Sequence, residues 1–368
     1  MKVLILSCYT GEGHNSAAYA VMEALERLNV KCELTDPVLF KSRRAQKFVS
    51  SFYNGMIKNI PATFGALYKA GALYDSTGII SPVYLANATY AEYLYNYIYS
   101  NGFDAVISTH LYGMEALTAI KKKQNCKAPF YGVLTDYTII PFLTETRLDG
   151  YFIPSEELKP ELIKRGIEEN RIFSSGIPVS ARFSSRMEKS EARRRLGIEA
   201  DKKMILVMSG GIGGGNLLKL CHELTSRTDD SYVIYTMTGR NETIKKEIDE
   251  KFKGVNRMVT VAFTKDVNLY MNSADVLMSK PGGLSSTEAA VSNVPLVHVN
   301  AIPGCETKNA EYFARHGMSL NAENIGRAVG YALKLSNDRE AAENMISRQR
   351  SMVDPIAADK IAERVVRL

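Results

Sequence analysis

The residues of this chain best placed for chemistry lie in two nearby segments, Ser279-Lys-Pro-Gly-Gly-Leu-Ser-Ser-Thr-Glu288 and Ile302-Pro-Gly-Cys-Glu306-Thr-Lys-Asn309. The first follows an apolar run, Ala274–Met278, that reads as a short buried strand. A strand that breaks at Pro-Gly-Gly and re-enters a helix at Leu284 leaves backbone N–H groups pointing outward from the helix start. Such a terminus suits a phosphate. Glu288 lies one turn further on, where a carboxylate can accept hydrogen bonds from sugar hydroxyls. A diphosphate and a ribose side by side suggest a nucleotide-sugar. A purely structural strand-turn-helix corner would use the same Pro-Gly-Gly.

A second constellation opens the chain. Tyr9-Thr-Gly11-Glu-Gly13-His14-Asn-Ser16 approximates G-x-G-x-x-G, with Ser16 where the third glycine belongs, and Asp36 follows at the tip of the next strand. That is a weak dinucleotide signature. His14 is placed at a helix N-terminus, whose dipole disfavours imidazolium, so it reads either as a base for a hydroxyl or as a helix-capping histidine. Asp136, in Leu134-Thr-Asp-Tyr137, sits at the carboxyl end of a strand, a functional position that turn-capping aspartates also occupy. Phe263 ends another strand and is a candidate platform for a nucleobase, with core packing the alternative. The loop Gly210-Gly-Ile-Gly-Gly-Gly215 brings backbone close to a phosphate or to packed structure. The sequence has no D-x-D, H-x-x-x-H or H-E-x-x-H, so no metal site is expected, and no Walker or G-x-S-x-G motif is present.

The elements needed to hold these residues alternate strand and helix nearly throughout. That pattern predicts an α/β protein with parallel sheets covered on both faces. At 368 residues, two domains are expected. Both halves open on a strand running into glycines: Val3–Ser7 in residues 1–180 and Met204–Met208 in residues 196–350. Arg186–Arg195 reads as the linker, and the last helix, within residues 351–368, as packing back on the first domain. The 45% hydrophobic and 23% charged fractions are those of an ordinary soluble protein, and a net charge of +6 is too small to argue for nucleic acid. Five scattered cysteines with no C-x-x-C favour free thiols in a reducing, cytosolic setting.

Residues 38–100 predict a helical insertion with a special surface. Its first part carries Lys41, Arg43, Arg44, Lys47, Lys58 and Lys69 with no acid before Asp75, and tyrosines recur from Tyr53 to Tyr99. Basic residues interleaved with tyrosine suit an anionic membrane interface, Arg43, Arg44 and Lys47 being the membrane candidates. A solvated, partly buried helical insertion is the alternative.

In their order and spacing, Gly11-x-Gly13-His14, Thr135-Asp136-Tyr137, Gly176-Ile-Pro178, the Ser209–Gly215 loop, Lys280-Pro-Gly-Gly-Leu-Ser-Ser-Thr-Glu288-Ala and Pro303-Gly-x-Glu306-x-x-Asn309 resemble one family. It is that of the monogalactosyldiacylglycerol synthases and processive diacylglycerol glucosyltransferases. The resemblance implies a GT-B architecture, two Rossmann-like doubly wound domains facing a central cleft. It implies metal-free, inverting transfer of a hexose from a UDP-sugar co-substrate, with no other cofactor, to a lipid acceptor such as diacylglycerol. The expected setting is the inner face of the cell membrane, with the protein peripheral to it. His14 becomes the candidate base and Asp136 its acceptor-side partner, with Gly11 and Gly13 beside them. The donor site is expected from Gly210, Gly211, Gly213, Phe263, Lys280, Gly282, Gly283, Leu284, Ser285 and Ser286, with Glu288 on the ribose and Cys305, Glu306 and Asn309 near the hexose. The family usually has glutamine where Cys305 stands, and the loop after Asp136 lacks its usual His and Trp. Both departures fall where sugar and acceptor are chosen.

Overall fold

The computed structural model describes residues 1–8, 12–59, 61–75, 77–185, 187–208 and 216–367, with side-chain detail withheld for residues 52–54, 56–59 and 61–64. The chain forms two compact units: Met1–Ser180 with Pro303–Cys305 and Ile356–Leu368, and Ala181–Ile302 with Glu306–Pro355.

The first unit contains β1 (Lys2–Leu6), α1 (Glu12–Arg27), β2 (Lys31–Thr35), α2 (Arg43–Asn59), α3 (Pro61–Asp75), α4 (Pro82–Ala88), α5 (Ala91–Ser100), β3 (Ala105–Ser108), α6 (Leu111–Lys123), β4 (Phe130–Val133), β5 (Gly150–Ile153), α7 (Lys159–Lys164) and β6 (Ile172–Ser174). Its strands form a parallel sheet in the order β2-β1-β3-β4-β5-β6. Successive strand residues face opposite sides, so β1 splits its side chains between two cores. Leu4 and Leu6 pack with Leu94, Ile98 and Leu117 under α5 and α6, while Val3 and Ile5 pack with Val21 and Leu25 of α1.

The second unit runs α8 (Ala181–Ser184), α9 (Lys189–Leu196), β7 (Lys203–Met208), α10 (Leu217–Arg227), β8 (Tyr232–Gly239), α11 (Glu242–Lys251), β9 (Met258–Ala262), α12 (Val267–Ser273), β10 (Val276–Ser279), α13 (Gly283–Val291), β11 (Leu296–His298), α14 (Cys305–Arg315), β12 (Leu320–Asn321), α15 (Ile325–Asn337) and α16 (Arg339–Met352). Its parallel sheet has the order β12-β11-β10-β7-β8-β9. The last helix, α17 (Ala357–Val366), belongs to the first unit. There its Ile361, Ala362 and Val365 are fully buried in the α1-side core, and Arg27 pairs with Asp359 at 2.5 Å.

One expected boundary is corrected. Most of the predicted linker, Arg186–Arg195, is helix α9 of the second unit, because Arg193 is buried against α12 and β10. Its guanidinium donates to Asp275 at 2.6 Å and to the Ser273 carbonyl at 3.1 Å. In each sheet the opening strand lies inside, with the chain going first to one side and then to the other. The switch falls between β1 and β3 in the first unit and between β7 and β10 in the second. Open α/β sheets take ligands at the carboxyl ends of strands at such points.

Candidate active site

At the first switch point, β1 leads into α1 and β3 into Thr109-His110. His14 stands in the first turn of α1, where its Nδ1 lies 2.9 Å from the Thr109 carbonyl oxygen and 3.0 Å from Thr135 Oγ. A carbonyl oxygen only accepts, so Nδ1 carries the proton and Nε2 carries the lone pair. The backbone is pinned from the other side by Thr109 Oγ, which donates to the His14 carbonyl at 3.0 Å. Ser7 Oγ donates to buried Asn15 at 2.7 Å and ties the end of β1 to the same turn. Burial lowers His14 from its ordinary value, while Asp136 and the Thr109 carbonyl pull it back part of the way. The ring is therefore neutral at physiological pH, and desolvation is the largest cause. Asp136 is placed to favour the imidazolium that forms when Nε2 takes a proton.

A small pocket opens here between His14, Thr109, Leu111, Met114, Asp136 and Ile140. Its mixed lining, apolar Leu111, Met114 and Ile140 with polar His14, Thr109 and Asp136, suits a hydroxyl carried on an apolar body. His110 packs edge-on to His14 with ring centroids 4.6 Å apart, and its Nδ1 accepts from Tyr112 N at 3.2 Å, capping α6. Burial and the neighbouring His14 hold it well below the ordinary histidine value. Sequence reasoning missed His110 and Thr109. Their position directly after β3, beside the switch point, was the available signal. Gly13 is the second residue of α1, and Gly11 lies outside the described residues. Asp36 is 2% exposed and accepts from Val38 N at 2.9 Å, so its carboxylate closes a turn and the dinucleotide reading loses its ribose acid.

At the second switch point β10 runs into α13. Gly282 is the N-cap, in extended backbone at φ −70° and ψ 139°, and no side chain caps the helix. The first intrahelical bond is Ser286 N to the Gly282 carbonyl at 3.0 Å, so the amides of Gly283, Leu284 and Ser285 precede the helical ladder. Three donors and the positive end of the helix dipole converge where a diphosphate was expected. Lys280 is part-buried at the entry to this turn. Glu288, one turn on, is pushed up to about 7 by burial, with Arg182 pulling it down. Phe263, beyond β9, is 49% exposed and carries the Arg240 guanidinium at 4.6 Å from its ring centre, which leaves an aromatic face for a base. Gly210, Gly211 and Gly213 lie outside the described residues.

α14 supplies the second motif. Gly304 has φ +123°, a backbone state that favours glycine. Glu306 Oε2 accepts from Ile302 N at 2.7 Å, holding the turn before α14. Asn309 is fully buried, and its Nδ2 donates to the Pro281 carbonyl at 3.1 Å, so it ties α14 to the Pro-Gly-Gly turn and is withdrawn from direct sugar contact. Ser286 is likewise corrected: it is fully buried, with Oγ 2.9 Å from His298 Nε2. Cys305 is half-buried and outside any disulfide. No group of three or more His, Cys, Asp or Glu suited to a metal ion occurs among the described residues.

Solved structures share this architecture. MurG of Acinetobacter baumannii matches with a TM-score of 0.66 and 15% identity, each chain covered in full. The UDP-GlcNAc 2-epimerase of Neisseria meningitidis, bound to UDP-GlcNAc, matches at 0.65 and 15%, again over both full chains. The fold is therefore that of the GT-B class. A model of the monogalactosyldiacylglycerol (MGDG) synthase family matches residues 14–179, and one of the UDP-N-acetylglucosamine 2-epimerase family matches residues 144–366, more than half of the chain. Processive diacylglycerol beta-glucosyltransferases of Staphylococcus saprophyticus and Staphylococcus aureus are each 24% identical, over 100% and 94% of this chain and 93% and 87% of theirs. The chain belongs to the MGDG synthase and processive diacylglycerol glucosyltransferase family, its residues 144–366 also belong with the UDP-N-acetylglucosamine 2-epimerases, and it is a glycosyltransferase.

Proposed function

We propose that the protein transfers a hexose from a UDP-sugar to the hydroxyl of a diacylglycerol-type lipid, with inversion and without a metal or other cofactor. The observation that carries this reading is the contact of His14 Nδ1 with the Thr109 carbonyl oxygen at 2.9 Å. A neutral imidazole with Nδ1–H held by Thr109 leaves Nε2 as a base on a residue that lines a pocket with apolar Leu111, Met114 and Ile140. The acceptor oxygen attacks the anomeric carbon from the face opposite the UDP as its proton passes to Nε2. The bond from the anomeric carbon to the β-phosphate oxygen breaks, and the charge left on the phosphate is met by the amides of residues 283–285 and Lys280. Preorganised donors aimed at developing charge are usually the largest catalytic term. Phe263 stacks the base, Glu288 takes the ribose hydroxyls, and Glu306 faces the hexose.

A lipid acceptor requires access to a bilayer. No helix among the described residues is long and apolar enough to cross one. The first unit instead exposes large apolar side chains on its helical insertion, among them Phe48 at 71% and Leu73 at 72%, with Ile79, Ile80 and Leu85 also exposed. Arg43, Arg44 and Lys47 are exposed on the same helix as Phe48. Apolar groups beside cations are the pattern of a surface that lies on anionic lipid, which supports a peripheral position on the cytoplasmic leaflet.

The test is incubation with diacylglycerol vesicles and a panel of UDP-hexoses, with products identified by mass and the anomeric configuration by NMR. A β-glycosyl diacylglycerol is expected. The match to the 2-epimerase family favours a second reading, chemistry at C2 of a UDP-sugar. In that case UDP-GlcNAc exchanges its C2 hydrogen with deuterated solvent and no glycolipid forms.

A further inference from the structure

His298 is the last residue of β11, 2% exposed, and its two ring nitrogens have different partners. Nδ1 lies 3.2 Å from Asn321 Oδ1 and 3.1 Å from Ser319 Oγ, while Nε2 lies 2.9 Å from Ser286 Oγ. The Asn321 amide fixes the proton positions. Its Nδ2 donates to the Ala310 carbonyl of α14 at 2.7 Å, so the atom facing the imidazole is the oxygen. An amide oxygen only accepts, hence Nδ1 donates to it, and Nε2 accepts the hydroxyl proton of Ser286. Burial lowers His298 to about 4, which keeps the ring in the neutral form this pattern needs.

These bonds close a circuit. Ser286 stands on α13, four residues after the Gly282 cap. His298 joins it to Asn321 on β12, Asn321 joins α14 at Ala310, and Asn309 on α14 returns to the Pro281 carbonyl, immediately before that cap. The two halves of the donor site, the amide terminus of α13 and the Glu306 end of α14, are thus joined by two routes, a direct one through Asn309 and one that runs through a single imidazole. The ring also packs on Phe313 of α14, with centroids 5.6 Å apart.

We propose that His298 is a positioning residue for the donor, setting the phosphate-facing terminus of α13 relative to the sugar-facing end of α14 without touching the ligand. This inference rests on the UDP-sugar reading above. A geometry fixed through Ser286 matters because amide donors lose strength steeply when their distance or angle to the phosphate is wrong. It also assigns Ser286 to support of the donor site in place of direct contact.

The experiment uses the full chain in four variants: Ser286→Ala, His298→Asn, the double variant, and Ile205→Val. Ser286→Ala removes one oxygen and so keeps the test open if His298→Asn folds poorly. Ile205, fully buried in β7, controls for lost stability alone. UDP affinity is read by calorimetry, donor KM and kcat by product formation, and Tm by thermal melting. Each single variant is expected to weaken UDP binding roughly 5–30-fold, the scale of one lost buried hydrogen bond, and to raise donor KM more than it lowers kcat. The double variant should be no worse than His298→Asn, because both cut the same link. Ile205→Val should lower Tm and leave UDP affinity unchanged. Unchanged affinity in both single variants, or independent losses that add in the double, overturns the inference. If the unaltered protein binds no UDP, the donor reading falls, and this inference falls with it.

Discussion

The switch points of the two sheets make a natural pair. Both lie at the carboxyl ends of an opening strand and of the strand that crosses to its other side, β1 with β3 and β7 with β10. The first unit places a side chain there, His14, tuned by burial and held by Thr109 and Thr135. The second places backbone there, the amides that open α13, with side chains such as Asn309 and Ser286 turned inward to hold that backbone still. Sheet topology thus decides where a ligand is met, and local residues decide whether it meets a proton acceptor or a set of proton donors. A nucleophile needs the first and a leaving diphosphate needs the second.

That division can be broken most directly at His14. His14→Ala should lower turnover about 10²–10⁴-fold, the usual contribution of a general base, with UDP affinity by calorimetry unchanged. A comparable loss of UDP binding would show that the two units do not divide the work. The next largest effect belongs to the insertion of the first unit. Replacing Arg43, Arg44 and Lys47 together by glutamine should cost about 3 kcal/mol of binding to anionic vesicles, at about 1 kcal/mol per cation near the surface. Sedimentation should show this loss fade at high salt, and UDP binding in solution should not change. Equal partitioning onto neutral vesicles would assign the surface to something other than anionic lipid.

On the donor side, Glu288→Ala should weaken UDP binding by about 1–3 kcal/mol, the scale of a hydrogen bond to a charged group, with kcat at saturating donor less affected. A smaller effect sharpens the point through pH. Glu288 sits at about 7, above the ordinary carboxyl value, because it is buried. Ribose hydroxyls donate to the ionised form, so donor binding should release a proton and tighten as pH rises through 7, levelling off above it. In the ligand-free protein the sign is opposite: the raised value favours the fold most at low pH, and that contribution is lost as pH rises through 7. Calorimetry of a UDP-sugar in buffers of different ionisation enthalpy reads the proton, and Glu288→Gln should abolish its release.

The sequence made the strands of both cores legible because their apolar runs are continuous, as at Ala105–Ser108 and Val276–Ser279. It hid one edge strand of each sheet. β6 and β12 are three and two residues long, and β12, Leu320–Asn321, has no apolar run to betray it. It also hid α9, whose Lys189–Leu196 reads as solvated charge until Asp275 is seen to take up both Lys189 and Arg193. The positions of His14 at the start of α1 and of the turn into α13 were legible because glycines and strand ends mark them. Asn309 and Ser286 were found by spacing but given the wrong contacts, since spacing tells which residues gather and not which way each side chain turns. His298 gave almost no signal, because one histidine after Leu296-Val297 looks like the end of any buried strand.

The return of α17 to the first unit has a consequence for how the chain is born. Its Ile361, Ala362 and Val365 complete a core of the first sheet whose buried residues outside α17 lie far earlier in the chain, none later than Phe152. Until α17 is translated, the α1-side core, in which Val3, Ile5 and Val21 cluster, lacks the residues that complete it. The second unit from Ala181 to Pro355 is complete, apart from Pro303–Cys305, before that helix emerges. Synthesis in chain order therefore completes nearly all of the second unit before the first unit receives α17.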